Sequence, residues 1–297
     1  TATAKNLGEE NGEKGQRTLG LPLPADLWPD RPPVPKTEIW ALAPDQTGKS
    51  AWEKIDALRG NLADQGCDAM MVCRLDDLAW LTNLRGADIA HTPVFLGYLW
   101  VEPTRAILFT NLERLPQGIR PDLEGQGIAL AGYDEVLSAV AGLQEKFTCL
   151  LDREGSNYAL CKALEGNENL LVVEGADPVQ LMKSLKNEVE IRNTIEAHVK
   201  DGVAMVRFQM DLEQALQAGK GLTELNVVEM VHQRRREQEG FLDESFSTIA
   251  AYGANAAMMH YAPKGESAAT LKREGFLLLD SGGQYKDGTT DITRTYA

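Results

Sequence analysis

The sequence predicts an α/β domain with a mixed sheet over residues 48–178, followed by a second, α+β domain over residues 179–297. Three observations carry this reading. Strand-like and helix-like segments alternate through residues 48–178, the signature of an α/β layer structure. Asp177-Pro178 then joins a preferred N-cap residue to proline at the first helical position, a strong helix start. Beyond it a long helix-period segment gives way to strands and turns.

In chain order, residues 1–47 are polar and rich in Gly and Glu, then in proline (Pro22, Pro24, Pro29, Pro32, Pro33 and Pro35), which predicts a tail and a linker. Trp28 and Trp40 are candidates to anchor its end on a domain. Ser50 is a candidate N-cap for a helix running to about Gly66. Cys67 to Cys73, centred on Ala69-Met70-Met71-Val72, reads as a buried strand, and Asp76 to Thr82 as a second helix. Further strands are expected at 94–101, 106–110, 149–151 and 170–173.

After Pro178 a short helix is expected. Glu188 to Ala218 then forms a long amphipathic helix with Ile191, Ile195, Val199, Met205 and Phe208 at helical spacing, stopped by Gly219 and Gly221. Thr223 caps another helix that ends near Gly240, and strand and turn follow.

Composition excludes several function classes. Of 297 residues, 43% are hydrophobic, which suffices for sizeable cores. The balance of 30 Lys and Arg against 44 Asp and Glu gives −14, the wrong sign for a nucleic-acid footprint. The basic cluster Arg234-Arg235-Arg236, followed by Glu237 and Glu239, reads as a solvated helix face. No apolar run reaches the roughly 18 residues of a membrane span. Cys67, Cys73, Cys149 and Cys161 contain no CxxC pair, which suits a reducing, cytoplasmic setting. No signal peptide opens the chain, and its first residue is Thr1 rather than Met.

The chemistry-bearing stretch runs from Phe276 to Thr295. A buried strand ends in Asp280, a turn containing Asp287-Gly288 follows, and a β-branched strand carries Asp291. Pairing the strands about the turn brings Asp280 and Asp291 near each other across the ladder. Two such carboxylates repel unless a cation lies between them, and hard oxygen ligands suit Mn²⁺ or a similar ion. On spacing alone, two ordinary hairpin acids fit as well.

Asp280-Ser-Gly-Gly-Gln-Tyr-Lys-Asp287-Gly-Thr-Thr-Asp291-Ile-Thr-Arg-Thr295 resembles the first metal-ligand motif of aminopeptidase P, the Xaa-Pro aminopeptidases of the creatinase, prolidase and methionine aminopeptidase superfamily. Ser245 to Pro263, with His260 inside it, resembles the strand and loop that place a substrate-side histidine. Lys186-Asn187-Glu188-Val189-Glu190-Ile191 resembles the first long catalytic-domain helix. Asn83-Leu84-Arg85-Gly86-Ala87-Asp88 with His91, and Trp28-Pro29-Asp30-Arg31-Pro32, resemble the preceding domain of the larger, cytosolic form.

The resemblance implies a creatinase N-terminal-like α/β domain and the first half of a pita-bread catalytic domain. It implies two divalent ions, with Asp280 on one and Asp291 bridging both, and His260 as substrate contact. It implies proline-containing peptides as substrates and a homodimer. The family's site needs a His and two further Glu from later strands, so an incomplete site and no activity are expected of these residues alone. A prolidase- or creatinase-like hydrolase and a non-catalytic interaction module are the alternatives. Among the other histidines, His198 reads as structural and His232 as surface. His91, in a loop, stays open between a structural place and a role near a neighbouring subunit's site.

Overall fold

A computed structural model describes residues 28–297, and residues 36–297 form one compact unit. The expected tail over residues 1–27 lies outside the described residues. Trp28 is exposed, whereas Trp40 lies in a short strand.

In chain order the elements are β1 (Trp40–Ala41), α1 (Pro44–Thr47), α2 (Ala51–Asp64), β2 (Ala69–Val72), α3 (Leu75–Thr82), β3 (Leu84–Arg85), β4 (Gly97–Val101), β5 (Ala106–Thr110), α4 (Arg120–Gly125), β6 (Ile128–Gly132), α5 (Val136–Ala141), β7 (Phe147–Leu151), α6 (Tyr158–Glu165), β8 (Leu170–Glu174), α7 (Pro178–Ser184), α8 (Glu188–Gln217), α9 (Glu224–Arg236), β9 (Phe241–Glu244), β10 (Ile249–Tyr252), β11 (Leu277–Ser281), β12 (Gly283–Tyr285) and β13 (Ile292–Tyr296).

The first sheet has six strands in the order β6-β5-β4-β2-β7-β8 and is mixed. β4 runs antiparallel to β2 and β5, while β2–β7, β7–β8 and β5–β6 are parallel. Its central strand β2 is buried on both faces. Met70 and Val72 join α2 and α7 in one apolar cluster, and Ala69 and Met71 join α5 and α6 in another. That is why Ala69-Met70-Met71-Val72 reads as a continuous apolar run without alternation. Ser50 caps α2 by accepting from the Glu53 N–H, while the Glu53 side chain accepts from the Ser50 N–H. The edge strand β6 escapes a reading by β-propensity: Ile128-Ala129-Leu130-Ala131-Gly132 has one β-branched residue and earns its place by pairing with β5.

A third apolar cluster joins α8 and α9 to the three-stranded antiparallel sheet β10-β11-β13. It contains Met205, Phe208 and Leu212 of α8, Val227 and Val231 of α9, and Leu277 and Leu279 of β11. Asn187 caps α8 by accepting from the N–H groups of Val189 and Glu190.

Two expectations need correction here. Ile191, Ile195 and Val199, with Val203, Val206 and Met210, are exposed on α8, and the face that packs runs through Ala197, Asp201, Ala204, Met205 and Phe208. The helix therefore has two apolar stripes, and the sequence pattern alone does not rank them. The basic cluster is not uniformly solvated either. Arg235 is 0% exposed and bonds Asp201 of α8 at 2.6 Å, because the 3.6-residue period turns it inward while Arg236 faces solvent.

Candidate metal centre

The site is built on the β11–β13 hairpin. In β11, Leu277 and Leu279 point into the third apolar cluster, so the pleat turns Leu278 and Asp280 to the opposite face. Asp280 lies directly opposite Thr293, whose hydroxyl donates to its carboxylate at 2.8 Å. Asp291 immediately precedes β13, two residues before Thr293. It lies outside the ladder, whose last pair is Ser281 with Ile292, so it is not a direct cross-strand partner of Asp280.

The connection between the strands is tightly folded. Thr290 N–H donates to Gly283 O at 2.9 Å, and the Ser245 hydroxyl donates to Thr290 O at 2.8 Å. A Cβ on Gly282 would lie 2.0 Å from Thr290 O and 2.2 Å from Ser245 Oγ, so only glycine fits. The turn itself differs from the Asp287-Gly288 type that the sequence suggests. Tyr285 and Gly288 exchange backbone hydrogen bonds, which puts Lys286-Asp287 at its centre and Gly288 at its end, with negative φ at all of them. Asp287 is ion-paired with Lys200 of α8, which fastens the turn to that helix.

Among the described residues neither Asp280 nor Asp291 is ion-paired, unlike Asp287. Carboxylates free of ion pairs are hard oxygen donors of the kind that suits divalent ions. The described residues contain no group of three or more His, Cys, Asp or Glu placed to hold an ion.

His260 is exposed, in a loop after a 3₁₀ turn at Gly253–Ala257, and adopts a left-handed backbone at φ 55°. A non-glycine residue in that region is uncommon and marks a segment fixed by its surroundings. His91 is the other histidine with positive φ, at 64°. It lies against the second part of this same chain: its Nε2 is 3.2 Å from the Ser247 hydroxyl, and Gln284 donates to its carbonyl at 2.9 Å. Its loop is held by Asp88, which accepts from Thr37, Leu96 N–H and Arg114. His198 is exposed, with Nδ1 2.8 Å from Thr194 O. His232 is half-buried rather than superficial, 3.2 Å from Glu244 and edge-on to Phe241.

Residues 30–190 match the Creatinase/Prolidase N-terminal domain, and residues 192–297 match the metallopeptidase family M24. The chain belongs to this creatinase/prolidase family. It is 37% identical to a probable Xaa-Pro aminopeptidase P of Arthroderma benhamiae, an alignment covering 99% of this chain and 43% of the relative. It is 33% identical to aminopeptidase P2 of Arabidopsis thaliana, over 91% of this chain and 42% of the relative. The crystal structure of an X-prolyl aminopeptidase from Caenorhabditis elegans, described as a cytosolic enzyme with a di-nuclear active site, superposes with a TM-score of 0.85 at 34% identity. That match covers 91% of this chain and 45% of that one. The chain therefore spans less than half the length of these relatives. The fold is that of the family: a creatinase-type N-terminal α/β domain followed by part of the pita-bread metallopeptidase fold.

Proposed function

We propose that this chain is part of a metal-dependent aminopeptidase that releases the N-terminal residue from peptides with proline in second position. The supporting observation is Asp280, on the face of β11 opposite the third apolar cluster, with Asp291 just before β13, neither ion-paired among the described residues. The relatives' printed names and the di-nuclear site of the C. elegans enzyme support the same reading. The domain division at about residue 178 belongs to it.

Asp280 would bind one ion, and Asp291 would bridge two, Mn²⁺ being a suitable hard ion. Divalent ions in such a site supply an activated water and a polarised carbonyl. Asp280 is oriented by the Thr293 hydroxyl, which leaves its second oxygen free to ligate. His260 would donate a hydrogen bond to the scissile carbonyl, contributing as one oxyanion donor does. Asp280 and Asp291 do not suffice to hold two ions, so the site would be completed by ligands other than the described ones. A cytosolic location follows the description of the C. elegans enzyme, and a homodimer is part of the proposal.

The exposed α8 stripe from Ile191 to Met210 is an apolar face of the kind that a further part of the protein would cover. The full-length protein supplied with Mn²⁺ should cleave Arg-Pro-Pro at its first bond and spare Arg-Ala-Ala. Cleavage of both at equal rates, or of neither, would overturn the reading.

A further inference from the structure

Glu224 is 0% exposed, and among the described residues no cation is paired with it. A bare carboxylate in that position would be costly. Its charge is met by hydrogen bonds instead. Oε1 accepts from Tyr252 N–H at 2.7 Å and Asn255 Nδ2 at 3.0 Å. Oε2 accepts from the Tyr261 hydroxyl at 2.7 Å, Ala269 N–H at 2.9 Å and Asn255 Nδ2 at 3.2 Å. Glu224 also opens α9, where the helix N-terminus favours negative charge. Burial pushes its carboxyl up, but the hydrogen bonds from Tyr252, Asn255, Tyr261 and Ala269 outweigh burial and hold it below the usual range.

All four donors belong to one segment. Tyr252 stands at its entry, Ala269 at its exit, and Asn255 and Tyr261 on either side of His260. Asn255 Nδ2 also donates to the Tyr261 hydroxyl at 3.0 Å, and the Glu224 N–H donates to Ala269 O at 3.1 Å. His260 itself, and Met259 at 91% exposed, have little packing to hold them. We infer that Glu224 is the positioning residue for His260: one buried carboxylate closes the loop of residues 252–269 and sets where the imidazole projects. This rests on the proposed substrate role of His260.

Hydrogen exchange on this chain reads the loop directly. Glu224→Gln replaces one accepting oxygen with an NH₂ that faces donors, so amides 253–268 should exchange about tenfold faster or more while those of α8 keep their protection. The His260 ring signal, assigned among four histidines with His260→Gln, should move to its free-peptide position while the His198 signal stays. Unchanged exchange in the loop, or an equal rise throughout the chain, would overturn the inference. If Glu224→Gln does not fold, Tyr261→Phe removes one of the four donors and should give the same local pattern, about threefold. In the full-length enzyme the two substitutions form a cycle: once His260→Ala is present, Glu224→Gln should lower kcat no further. An additive loss would make Glu224 a structural residue only. Normal kcat in His260→Ala would instead remove the functional reading while leaving the exchange result intact.

Discussion

Arg235 and Asp201 form an ion pair buried between α9 and α8, with Nε 2.6 Å from one carboxylate oxygen and Nη2 3.2 Å from the other. Tyr285, in β12 within the connection between β11 and β13, donates to the same carboxylate at 2.9 Å. Burial first, and the Asp201 charge second, push the Tyr285 hydroxyl well above its ordinary range, so it remains a donor. Two helices and the hairpin are thereby locked through one carboxylate.

Removing one partner of such a pair leaves a buried charge. Arg235→Met should destabilise by about 3–5 kcal/mol, whereas Asp201→Leu combined with Arg235→Met should recover most of that loss. Tyr285→Phe should cost about 1 kcal/mol, since Asp201 keeps its arginine. Urea unfolding followed by circular dichroism measures all three. Equal losses in the single and double variants would refute the account.

Asp177 gives a pH prediction. Its side chain caps α7 by accepting from Val179 N–H at 2.8 Å, yet burial, with Asp77 nearby, pushes its carboxyl up to about 7. The folded state therefore holds a proton that the unfolded state releases near pH 4, and stability falls as pH rises from about 4 to 7. Asp177→Asn keeps a good cap without the charge. It should flatten this slope and stabilise at pH 8 by an amount on the order of 1–3 kcal/mol. A steeper slope in the variant would contradict this.

The two acids of the site should differ in the full-length enzyme. Asp291→Asn, at the proposed bridge, should lower metal content at both positions, and Asp280→Asn mainly at one. His260→Ala should keep its metal and lose roughly 10²–10³ in kcat. Elemental analysis beside kinetics decides this. Full occupancy in Asp291→Asn would show the bridge assigned wrongly.

These 297 residues alone should show no Mn²⁺-dependent hydrolysis of Arg-Pro-Pro, because two carboxylates bind such ions weakly. Turnover at an ordinary enzyme rate would refute it. The exposed α8 stripe predicts dye binding and self-association in the same preparation. Val199→Lys and Val206→Lys should reduce both without lowering the melting temperature, since neither side chain is packed in the core.

Local chemistry made the larger part of the fold legible in the sequence. Ser50, Asp177 and Thr223 cap helices where their side chains predict it, since a cap is settled within four residues. Asp280 and Asp291 stand out in the sequence through the motif that surrounds them, since their spacing alone suits ordinary hairpin acids as well. Tertiary structure alone decided which stripe of α8 is buried, that Arg235 points inward to Asp201, and that Asp280 lies opposite Thr293. It alone brought Glu224 under the loop that carries His260, 36 residues further on, and His91 against Ser247. The reason is physical. Caps and turns are satisfied by neighbours in sequence, but the partner of a buried charge, or of one of two similar apolar faces, is chosen by what packs across from it.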